Sequence, residues 1–250
     1  FTSGGAQHTG NTTFQGVLNV AAGAILSTGD GITMASGANL MHGTGTIGAG
    51  GSITGQVKVQ RLGTYGNNYN YWSSPIANGN VSSLGLNRYR YNPASASGPG
   101  LTGLITGWVP SNSGAMTVGR GYIATASGLA SFTGTANNGN LSYGPMVIGA
   151  HTSSNLVGNP YPSNMSAAAF VAANPHINGG AIYLWDDDGS VGSDYDFNDF
   201  ITWNGMGQVG PNSGTPFNGN IAVGQGFFVS VSNTNPVTFS NAMRTAGSAN

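Results

Sequence analysis

Six of the seven acidic side chains in this sequence fall within sixteen residues, WDDDGSVGSDYDFNDF at 185–200. They are Asp186, Asp187, Asp188, Asp194, Asp196 and Asp199; the seventh is Asp30. Side chains of this type at this density suit the ligation of Ca²⁺, which takes about six to eight oxygens from carboxylates, amides, backbone carbonyls and water. The predicted ligand set is Asp186, Asp188, Asp194, Asp196, Asn198 and Asp199. If residues 194–198 are extended, their period of two turns Asp194, Asp196 and Asn198 to one side and leaves Tyr195 and Phe197 for the core. Gly189 and Gly192 allow the segment between to fold back on an ion. Clustered like charges repel, and a bound cation offsets that repulsion. The spacing is not that of an EF-hand. The plainer alternative is a solvated loop held by Asx-turns.

Other chemistries find less support. Glycoside hydrolysis needs two carboxylates in environments that separate their pKa values, and outside this window only Asp30 carries one. His8, His42, His151 and His176 are scattered without the helical pair of a zinc protease, and read as surface or turn residues. No G-x-S-x-G elbow occurs. GTGTIG at 43–48 fits G-x-G-x-x-G, but no acid follows about 20 residues later, so it is not a dinucleotide fingerprint. Trp72, Trp108, Trp185 and Trp203 suit sugar stacking if exposed and core packing if not. The chain is therefore expected to be non-enzymatic.

The elements that must position the acidic window are β-strands. Forty-three glycines and short Val/Ile/Tyr/Phe-rich runs predict an all-β fold of 250 residues. LNVAAGAILSTGDG (18–31) and ITMASGANLMHGTG (32–45) repeat at a period of 14, which predicts a Gly-rich module of β-solenoid-like or meander repeats over 1–60. A longer repeat follows. NYWSSPI (70–76) matches NLVGNPY (155–161), NRYRYNP (87–93) matches IYLWDDD (182–188), and TGW (106–108) matches ITW (201–203). MTVGRGYIA (116–124) matches IAVGQGFFV (221–229), with Arg120 and Gln225 as equivalent turn residues. ASFTGTANNG (130–139) likewise matches VTFSNAM (237–243). The expected architecture is a duplicated antiparallel β-sandwich, with repeats over 61–145 and 146–250. One short helix is expected within 163–175, stopped by Pro175. The acidic window is then the second repeat's counterpart of RYNPASASGPG, which has no acid, so it elaborates one copy.

Charged residues make up 5% of the chain, against about 25% in ordinary soluble domains. Little charge repulsion separates copies, which favours self-association. Five Arg and one Lys cannot form a phosphate-neutralising stripe, which argues against nucleic acid. No apolar run is long enough to span a membrane as a helix. With no Cys there are neither disulfides nor thiolate metal sites, and a start at Phe1 rather than Met is expected of a mature chain or of an excised fragment.

Several phrases in this order resemble secreted surface proteins of Bacteroidetes exported by the type IX secretion system. They are Val57-Lys58-Val59-Gln60-Arg61, Tyr71-Trp72-Ser73-Ser74-Pro75, the turn at 119–122, the segment at 155–162 and the strand at 224–229. The resemblance covers about residues 45–245 and implies an extracellular or outer-surface location. The expected function is that of a structural or adhesive protein, a filament or surface-layer subunit stabilised by calcium. The alternative is a carbohydrate-binding module or polysaccharide-targeting adhesin.

Overall fold

The computed structural model describes residues 4–63, 68–97, 106–125, 128–186, 199–210 and 216–249. Its first eight strands wind as a parallel coil. They are β1 (Gly4–Gln7), β2 (Thr12–Phe14), β3 (Val17–Asn19), β4 (Ala24–Ser27), β5 (Ile32–Met34), β6 (Asn39–Met41), β7 (Ser52–Thr54) and β8 (Val57–Leu62). β1, β4 and β7 stack in parallel on one face, β2, β5 and β8 on a second, and β3 and β6 on a third. Alternation supplies the core: Ala24, Leu26, Ile32, Met34, Val57 and Val59 point inward, while Ile25 and Lys58 point out.

Of the two expected arrangements, solenoid and meander, the module takes the solenoid. The 14-residue period is not its rung, however. Gly4 lies opposite Ala24 and Thr12 opposite Ile32, so one turn of the coil takes 20 residues there. The period of 14 superposes β3 on β5 and β4 on β6, strands of different faces. A strand and its turn take about seven residues, two such units make the sequence repeat, and three close the coil. Gly23 and Gly37 keep the register because both turns require positive φ, at 79° and 83°.

Beyond the coil the duplication is visible strand by strand. The first copy adds β9 (Asn70–Trp72), β10 (Leu86–Tyr91), β11 (Trp108–Pro110), β12 (Tyr122–Thr125) and β13 (Leu129–Gly134) to β8. The second has β14 (Leu141–Tyr143), β15 (Ser154–Gly158), β16 (Asn164–Ser166) and α1 (Ala167–Ala173). It continues through β17 (Ile177–Trp185), β18 (Phe200–Trp203), β19 (Gln208–Val209), β20 (Asn220–Ile221), β21 (Gly226–Val231), β22 (Val237–Phe239) and β23 (Arg244–Thr245). One sheet runs β11-β10-β12-β9, and its counterpart runs β18-β17-β21-β15 with β19 added at the edge. Registers agree: Ile123 faces Tyr71 as Phe228 faces Leu156, and Tyr89 faces Ile123 as Tyr183 faces Phe228. In each copy the first and last strands pair as an outer layer, β8 with β13 and β14 with β22.

The helix is shorter than its sequence window because Ser166, at N-cap, accepts from the amide of Ala169, and Asn174 closes the C-terminus before Pro175. It buries Ala167 and Phe170 over the second sheet's outer face. The inner faces of the two sheets meet each other. Tyr71, Tyr91, Trp108 and Ile123 from the first copy interleave with Leu156, Trp185, Phe200 and Phe228 from the second. Tyr71 stacks on Trp185 at 5.4 Å and Phe228 meets Tyr91 edge-on at 5.1 Å. The paired register also corrects the expected match of Trp108 with Trp203. Tyr91 lies opposite Trp108 as Trp185 lies opposite Phe200, so Phe200 is the equivalent, and Trp203 packs on Phe217 on the other side.

Candidate functional site

The acidic window is the connection between β17 and β18, the same connection that carries residues 92–107 between β10 and β11 in the first copy. Of the predicted ligands, Asp186 and Asp199 are placed. The amide of Asp186 donates to the carbonyl of Asp199 at 2.8 Å, extending the ladder one step past Trp185 and Phe200. Asp199 is buried at 6% exposure and Asp186 is half-buried. Asp188, Asp194, Asp196 and Asn198, with Asp187, lie outside the described residues. Among the described residues no three His, Asp or Glu side chains gather to hold an ion. The neck therefore brings the first and last members of the predicted set side by side through their backbones. Beneath it, the Trp185 ring lies on Tyr71 and the Phe200 ring on Trp185, at 5.4 and 5.2 Å.

The remaining sequence candidates are mostly core. Trp72 is fully buried, and Trp108 and Trp185 pack into the intersheet cluster. His8 reaches the Thr12 hydroxyl and the Thr28 carbonyl in a solenoid turn, and His151 is exposed. His42 and His176 are not surface residues: both are buried. His42 Nδ1 lies 3.3 Å from Nη2 of Arg244. Burial first, and the Arg244 charge second, push the His42 imidazole down to about 3, so it stays neutral.

Sequence reasoning missed the arginines. Arg244 is fully buried and has no acid partner among the described residues. Its guanidinium donates to the carbonyls of Leu40 and His42, to Ser163 Oγ and to Asn241 Oδ1, and lies 5.2 Å from the centre of the Tyr161 ring. It ties β6, the last strand of the coil's third face, to the second copy. Arg61 lies 4.6 Å from the Trp72 ring centre, and its Nη1 donates to the carbonyls of Tyr71 and Gly224, one in each copy. Arg120 donates from Nε to the Tyr143 hydroxyl at 2.9 Å. In a chain this poor in acids, carbonyls and ring faces take the place of carboxylates, which an inspection for opposite charges does not find.

The turn residues Arg120 and Gln225 prove to be reciprocal joints. Arg120 bridges to Val157 and Gln225 to Trp72, each reaching the other copy's strand. The amide of Ser73 donates to Gly224 and that of Gly158 to Gly119, at 2.7 and 3.0 Å.

The first rung is uncapped among the described residues: there β1 pairs only with β4, β2 only with β5 and β3 only with β6. The segment 4–19 carries no Lys, Arg, Asp, Glu or Pro, the residues that usually blunt an open edge, and Val17 is 51% exposed. At the other end of the coil β13 covers β8 and the Pro162 carbonyl accepts from Leu40, while β7 remains an edge strand among the described residues. No helix among the described residues is long and apolar enough to cross a membrane.

No curated protein and no solved structure matched the chain. A family model matched residues 6–250, from the first rung through both copies. The match spans the coil, both copies and the connection between β17 and β18, and the chain belongs to the family described as Domain of unknown function (DUF8693).

Proposed function

We propose that this chain is a non-catalytic structural or adhesive protein of the bacterial exterior, which associates with itself through the open end of its solenoid and binds Ca²⁺ in the 186–199 loop. The observation that carries the reading is the first rung: three strands whose outward edges are unpaired among the described residues and that carry none of the charges or prolines that discourage pairing. Because β8 at the coil's other end is covered by β13 and β6 meets the second copy at Pro162, so that β7 alone of the three faces stays an edge there among the described residues, this contact joins two like surfaces. It closes as a two-fold dimer; a filament requires a second contact. The extracellular location rests on the resemblance of the 57–61, 71–75, 119–122, 155–162 and 224–229 phrases to exported surface proteins. Light scattering across a concentration series tests the association. A dimer that Thr13→Lys converts to monomer, at an exposed edge position, supports it. A monomer at every concentration, or a dimer indifferent to Thr13→Lys, refutes it. A glycan-binding role is the second reading, favoured by the cavity described next.

A further inference from the structure

A cavity of about 550 Å³ opens where the three parts of the molecule meet. Its walls come from the solenoid turn at Ser36, the end of β8 at Arg61, Asn70 of β9, and Asn164 and Ala222 of the second copy. The volume is in the range of sites for small molecules. Arg61 supplies its formal charge. Two contacts fix that guanidinium: the Trp72 ring and the pair of carbonyls at Nη1. All the acceptors it uses lie on Nη1, and no ion pair to a carboxylate forms among the described residues. Among the described residues Nε and Nη2 make no hydrogen bond, and the side chain that lines the cavity is half-buried. Those two atoms form the edge of a guanidinium that matches both oxygens of a carboxylate. Desolvation pulls Arg61 down to about 10, which leaves it cationic at neutral pH.

We propose that this cavity binds a ligand bearing a single carboxylate, held by the Nε–Nη2 edge of Arg61. A monoanion is favoured over a phosphate because one fixed cation, with no second Lys or Arg in the wall, matches one charge and one planar pair of oxygens. The carboxylate of an acidic sugar and that of a peptide C-terminus share this chemistry. The proposal does not depend on self-association.

The test is calorimetric titration of the full chain with a uronate oligosaccharide, its methyl ester, a short peptide with a free C-terminus, its amide, and inorganic phosphate. At least one carboxylate should bind, with its neutral counterpart about tenfold weaker or more. The sugar and peptide arms identify the source. Saturation should shift the ¹⁵Nε resonance of Arg61, one of five arginines, with no variant needed. Ala222→Phe, which fills the cavity from a half-buried position and leaves Arg61 intact, should abolish binding without lowering Tm. Failure of every carboxylate to bind, equal binding of ester or amide, phosphate bound as tightly, or an unmoved Arg61 resonance would each overturn the proposal.

Discussion

Phe228 sits at the centre of the contact between the two copies, and its truncation separates one cooperative molecule from two tethered ones. The ring is fully buried and lies within 5.1–6.1 Å of the rings of Tyr71, Tyr91, Trp108 and Phe200. Three of those four belong to the first copy. Phe228→Ala removes a buried aromatic whose loss costs about 3–5 kcal/mol in a packed core, a large share of the roughly 5–15 kcal/mol of net stability of an ordinary protein. The cost should fall on both copies, because their sheets share this layer. Urea unfolding followed by tryptophan fluorescence, which reports Trp108 in one copy and Trp185 in the other, should show a single transition moved to lower urea. A double-mutant cycle with Tyr71→Leu, whose ring centre is 6.0 Å away, should give a coupling of about 0.5–1.5 kcal/mol. A loss below about 1 kcal/mol, or a second-copy transition that leaves the first unchanged, would refute the shared core.

The joints between copies predict a contrast among glycines: a Cβ at Gly121 would lie 2.6 Å from the Val157 carbonyl oxygen, whereas one at Gly139 meets nothing within 4 Å. Gly121→Ala should therefore lower stability by more than the roughly 1–2 kcal/mol that positive φ alone costs Gly139→Ala, as equilibrium unfolding will show. His42, held neutral to about pH 3, is protonated in the unfolded chain below about 6.5, so the unfolded state binds the extra proton between those values. Stability should be intact above pH 6.5 and fall as pH drops toward 3, by up to about 1.4 kcal/mol per pH unit from this group. A His42→Asn variant should show a shallower acid slope in thermal denaturation. Ca²⁺ should raise Tm, with a gain of about 2.7 kcal/mol at a hundredfold excess over Kd. The double variant Asp194→Asn, Asp196→Asn should erase that rise, and an unchanged Tm in the parent protein would remove the calcium site.

The sequence by itself determined the strand-built class, the duplication and its order, because short alternating apolar runs and repeated phrases are local properties of the chain. NYWSSPI and NLVGNPY, GRGYIA and GQGFFV lie on equivalent strands in equivalent register, as their spelling indicates. The solenoid rung was not legible. A seven-residue strand-and-turn unit repeats in sequence whether two or three such units close the coil, and closure depends on backbone direction at each turn. The match of Trp108 to Trp203 failed because register is set by ladder pairing across β17 and β18, so three residues of slip are invisible in a likeness that rests on one shared Trp. Of the acidic site, clustering was plain in the sequence, while only folding brings Asp186 and Asp199 together at its neck. The arginines depended most on tertiary structure. Arg61 and Arg244 are held by carbonyls more than 150 residues distant, at Gly224 and at Leu40 and His42, and no local pattern encodes partners that come together only when the two copies and the coil pack.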